Sequence, residues 1–101
     1  MNLSMINQAR QLKAQLEETQ RELARIEVTA EAGKGAVKVT ANGQQQILAV
    51  TISPKAMDEN NPEQLERLIL KAITDAQAKS QKVASKKMKG LTGGLKIPGL
   101  F

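Results

Sequence analysis

The chain has 101 residues, 15 of them Lys or Arg and 10 Asp or Glu, for a formal net charge of +5. It has no Cys and no His, which removes disulfides, thiolate chemistry, the usual general base and the commonest transition-metal ligand. Its one aromatic residue, Phe101, leaves no stacking platform for single-stranded nucleic acid.

No apolar run approaches the ~20 residues of a membrane span. The opening MNLSMINQARQLK turns polar too early for a secretory signal. A single small domain in the cytoplasm is expected, and at this size a second copy is a natural way to bury more apolar surface.

Residues 2–26 read as a helix. Met5, Ala9, Leu12, Leu16, Thr19, Leu23 and Ile26 recur at alternating steps of four and three, a coiled-coil-type seam unbroken by Gly or Pro. Glu17/Arg21, Glu18/Arg21 and Glu22/Arg25 stand three or four apart on the other side, where each pair adds ~0.2–0.5 kcal/mol to a helix. That charged face reads first as a solvated surface.

The period then falls to two. Val28, Ala30 and Ala32, then Val37, Val39 and Ala41, then Leu48, Val50 and Ile52 alternate with polar neighbours. Gly33-Lys34-Gly35 and Asn42-Gly43 separate these runs, and Asn-Gly suits a type I′ hairpin turn. GKG lacks the spacing of a phosphate loop and lies between strands, so it is read as a turn. A three-stranded antiparallel meander with one apolar face follows.

Pro54 ends the sheet, and residues 54–61 form a connector with room for one helical turn. Asn61-Pro62-Glu63-Gln64 reads as a helix start, with Asn as N-cap, Pro at the first helical position and Gln completing a capping box. This helix is predicted to run to about Lys89 on a stripe of Leu65, Ile69, Ala72, Ile73, Ala76 and Val83, with Gly90 as its stop. The predicted fold is α+β: an N-terminal helix, a three-stranded meander and a long C-terminal helix. Residues 1–90 form one domain, and residues 91–101 a flexible Gly/Pro-containing tail.

The positive charge is concentrated. Residues 76–101 hold six lysines and no acid, while residues 54–75 are net −2. At 100° per residue Lys79, Lys82, Lys86 and Lys89 share one stripe ~15 Å long, with Lys71 on its upstream extension, turned away from the apolar stripe. One reading is a solvated helix end whose lysines offset the helix dipole. The other is a surface for the phosphate backbone of a duplex, which such one-sided lysines would position rather than read by sequence. Arg10, Lys13, Arg21 and Arg25 could extend it. Nothing in the chain has the spacing of a catalytic device or a metal site, and Ser80 and Ser85 have no activating partner. No enzymatic activity, cofactor or metal is expected. An anionic membrane surface fits less well, because the basic helix has few large apolar residues to insert.

EVTAEAGKGAVKVTANGQQQILAVTIS resembles the YbaB/EbfC family of bacterial nucleoid-associated proteins. Val28, Glu31, Gly33, Gly35, Val37, Lys38, Val39, Thr40, Asn42, Gly43, Val50, Ile52 and Pro54 follow that pattern in order, and LILKAITDAQAKS and GLTGGLKIPGL are also similar. The resemblance implies a homodimer with a shared sheet core and protruding helices. It implies binding of double-stranded DNA in the nucleoid and a role in nucleoid organisation and gene expression. It places DNA contacts on the helices, at the basic positions Arg10, Lys13, Lys79, Lys82, Lys86 and Lys87, with Lys89 on the same stripe. The alternative is a protein-interaction module, in which the helix seam and tail 91–101 dock a protein partner and the lysines serve solubility.

Overall fold

The structure, a computed structural model, describes residues 2–92. The order is α1 (Leu3–Arg25), β1 (Glu27–Ala32), β2 (Val37–Asn42), β3 (Ile47–Ile52), a single 3-10 turn (Pro54–Ala56) and α2 (Pro62–Thr92). This is the expected α+β arrangement, with antiparallel strands in the order β1-β2-β3.

Asn2 caps α1 by accepting the Ser4 N–H at 3.1 Å. At the start of α2, Asn61 Oδ1 accepts the Gln64 N–H at 3.3 Å, and the Asn61 side-chain amide donates back to Gln64 Oε1 at 3.2 Å. The reciprocal bond thus uses the side chain of the N-cap residue in place of its main-chain N–H. α2 does not stop at Gly90. Gly90 is not among the glycines with positive φ, and Leu91 and Thr92 continue the helix. From Gly93 onward the expected tail lies outside the described residues.

The two hairpins invert the expected turn chemistry. In the first, Ala36 N–H donates to Gly33 O at 3.2 Å, and the central residues Lys34 and Gly35 have φ of 56° and 85°. Both central angles are positive, as a type I′ turn requires. At Asn42-Gly43 the positive φ belongs to Gln45, at 65°, and the connection is longer than a two-residue turn. Asn42 Oδ1 accepts from Gln44 N–H at 2.9 Å and Gln46 N–H at 3.1 Å, so the side chain organises the loop. Gly43 is required for a different reason. Its N–H donates to Leu23 O at 2.8 Å and to Ile26 O at 3.0 Å, satisfying carbonyls at the end of α1. A Cβ there would lie 2.7 Å from Leu23 O.

The core lies between α2 and the first two strands. Ala30, Ala32, Val37, Val39 and Ala41 meet Ala72 and Ala76, all buried. Alanines on both sides let the helix approach the sheet closely, and Leu65, Leu68, Ile69 and Ile73 close the margins. α2 lies over β1 and β2 rather than β3. Register pairs Val39 with Val50 and Val37 with Ile52, so β3 continues the apolar face beyond the helix. Ile47, Leu48 and Val50 there are 37, 52 and 44% exposed.

Candidate nucleic-acid interface

Lys87 Nζ on α2 bonds Glu22 Oε2 on α1 at 2.9 Å. The 68 Å length of the molecule exceeds the ~46 Å of α2 alone, so α1 runs on beyond α2 and the two helices are antiparallel where they meet. From that level α2 continues for five residues, while α1 runs back for nineteen to Leu3. The two helices therefore form an arm projecting from the sheet, and α1 alone makes its outer part.

The lysines of α2 fall into two sets. Lys82, Lys86 and Lys89 are exposed on one side of the helix and make no ion pair among the described residues. Lys79 belongs to the same stripe, but its Nζ donates to Thr29 O on β1 at 2.8 Å. Lys71, upstream, is tied to Asp75 at 3.1 Å. Lys87 sits ~100° away, half-buried on the row that faces α1, where Glu22 neutralises it. The absence of acids within this part of α2 does not leave every lysine free, because α1 supplies a carboxylate across the helix pair. Glu22 is thereby engaged away from Arg25, and of the expected α1 pairs only Arg21–Glu18 is formed, at 2.8 Å.

Arg10 and Lys13 are exposed on the outer half of α1. With a rise of ~1.5 Å per residue, Arg10 lies ~18 Å beyond the level of Glu22. The basic groups thus follow one another along the arm, the α2 lysines nearer the sheet and the α1 pair toward the tip, over roughly 30 Å.

Ser80 had no assignable role in the sequence. It is fully buried, donating to Asn42 O at 2.6 Å and accepting from Gln45 N–H at 2.9 Å. Gln44 Nε2 donates to Gln20 O at 2.9 Å. The β2–β3 loop is therefore bonded to both helices at the root of the arm, which fixes its direction from the sheet.

Among the described residues no group of acidic side chains could hold a metal ion, and no helix is long and apolar enough to cross a membrane. The small sheet carries an arm faced with exposed lysines, a surface that suits a polyanion. Residues 1–95 match the model of the YbaB/EbfC DNA-binding family, and the chain belongs to that family. It is 42% identical over 97 residues to a nucleoid-associated protein of Pelotomaculum thermopropionicum, covering 96% of this chain and 92% of that one. A nucleoid-associated protein of Chloroflexus aggregans is also 42% identical, covering 96% and 95% of the two chains. The fold is similar to the crystal structure of an uncharacterised Helicobacter pylori protein, with a TM-score of 0.69 and 18% identity over 94% of this chain and 97% of that one.

Proposed function

We propose that this chain is a homodimeric nucleoid-associated protein that grips double-stranded DNA by its phosphates, with low or modest sequence specificity. It acts in the cytoplasm, where it organises the nucleoid and influences gene expression, and it performs no catalysis. The observation that carries this reading is the row of Lys82, Lys86 and Lys89, exposed on one face of α2 and without ion-pair partners among the described residues. Arg10 and Lys13 extend the contact toward the tip, and Lys79 and Lys87 flank it as partly engaged cations. A basic arm of ~30 Å approaches the ~34 Å of one duplex turn. Membership of a DNA-binding family and relatives named nucleoid-associated proteins support the choice of partner.

β3 is the proposed dimer seam. It is an edge strand with exposed Ile47, Leu48 and Val50, and pairing two copies there would continue the sheet and cover the apolar face that α2 leaves bare. The other edge strand is less available, because Lys79 occupies the Thr29 carbonyl of β1. Two arms on one dimer would engage a duplex together, so modest contacts on each would add up through effective concentration.

Fluorescence anisotropy of a mixed-sequence duplex, titrated across salt with unlabelled competitor, tests the reading. Phosphate contacts predict that log K falls with log salt at about 0.9 units per contact, nearly equally for all sequences. A folded dimer with no duplex binding at low salt would overturn it.

A further inference from the structure

The seam of α1 is covered only near the sheet. Thr19 and Leu23 are buried, whereas Leu3 and Met5 are 70% and 60% exposed. Met5, Ile6 and Ala9, with Arg10 and Lys13, line an open groove of about 430 Å³ on the outer half. Residues 2–16 include no acid, and neither Arg10 nor Lys13 makes an ion pair among the described residues. The groove is therefore apolar with a positive border.

A surface of opposite character lies on the first half of α2. Leu70 is 66% exposed and points ~160° away from the buried Ala72, on the side of the helix opposite the sheet. Glu66 and Glu63 lie one and two turns before it on the same stripe. Both are exposed and make no ion pair among the described residues. Arg67 lies ~60° to one side of that stripe. Leu70 is thus an apolar knob followed on one side by two carboxylates.

The two surfaces match in spacing. Arg10 and Lys13 follow Ile6 by four and seven residues, and Glu66 and Glu63 precede Leu70 by four and seven. In an antiparallel helix pair with Leu70 over Ile6, Glu66 comes level with Arg10 and Glu63 with Lys13. One chain cannot make this contact with itself. Leu70 lies ~26 Å toward the sheet from Lys87, and Ile6 lies ~24 Å toward the tip from Glu22. Two tips packed together would supply no carboxylate for Arg10 or Lys13.

We propose that the outer groove of α1 receives Leu70 of a second copy of this chain, with Arg10 facing Glu66 and Lys13 facing Glu63 across the contact. The contact joins the arm tip of one copy to the back of α2 in the next, so it links copies in series. One leucine and two exposed ion pairs make it weak, and it forms at high protein concentration. It does not depend on the DNA reading. Because it shares Arg10 and Lys13 with the proposed duplex grip, it is tested without DNA.

The sequence has no Cys, so Ile6→Cys and Leu70→Cys are made in separate full-length chains and mixed at high concentration under mild oxidation. Mass spectrometry of the non-reduced digest is expected to show disulfides chiefly between the α1 peptide of one variant and the α2 peptide of the other. Glu63→Lys/Glu66→Lys in the Leu70→Cys chain should lower that yield at least about fivefold. Adding Arg10→Glu/Lys13→Glu to the Ile6→Cys chain should then restore it. The proposal is overturned by an absence of cross-links, by links chiefly between like peptides, or by a yield that the paired charge reversals do not lower and restore.

Discussion

The hydroxyl of Ser80, on α2, donates to the main-chain carbonyl of Asn42, at the end of β2, across 2.6 Å and a separation of 38 residues. Both residues are buried, and Gln45 N–H donates back to the same hydroxyl at 2.9 Å. One small polar side chain therefore joins the long helix to the loop that also holds the end of α1. Ser80→Ala removes both bonds, although Gln45 N–H keeps the Asn42 carbonyl as a partner at 3.1 Å. The expected loss is about 1–2 kcal/mol, read as a lower urea midpoint at fixed protein concentration.

Two glycines should respond in opposite directions. Gly43→Ala forces a Cβ against the Leu23 carbonyl, and the backbones of α1 and the loop must part. The expected cost is about 1–3 kcal/mol. Gly90 has nothing within 4 Å of an added Cβ and is helical, so Gly90→Ala should stabilise by up to about 1 kcal/mol. Thermal melts of the two variants beside the parent protein decide it.

Replacing Lys82, Lys86 and Lys89 together with Gln should weaken duplex binding to every sequence alike. It should lower the salt slope by about 2.7 units if each lysine meets one phosphate. Lys79→Gln should cost less, because its ammonium is already held by the Thr29 carbonyl. A variant that loses affinity for one sequence only would contradict a backbone grip.

Val50→Asp places a carboxylate on the bare face of β3. Val50 is 44% exposed within one chain, so the protomer should still fold. Sedimentation is expected to show a shift from dimer to monomer, and duplex affinity should fall as the second arm is lost. A variant that remains dimeric would place the seam elsewhere.

The order of elements was legible in the sequence because its signals are local. The step from a four-three period to a two period marks the passage from α1 to the sheet, and Asn61-Pro62 marks the start of α2. The concentration of lysines after residue 76 could also be counted directly. Less legible was the reason for particular residues. Asn42-Gly43 reads as a hairpin turn, yet Gly43 is there because α1 passes too close for a Cβ.

By itself, the sequence determined the order of elements, the N-cap of α2, the apolar face of the meander and the sign of the surface on α2, all set by residues within about one helical turn or one strand of each other. The tertiary structure alone decided which lysines are free. Lys87 meets Glu22 from 65 residues away and Lys79 meets Thr29 from 50, while Lys82, Lys86 and Lys89 meet no carboxylate among the described residues. It also decided that β3 keeps its apolar side chains exposed. The small side chains of Ala72 and Ala76 seat α2 over the first two strands, and one helix is too narrow to cover a third.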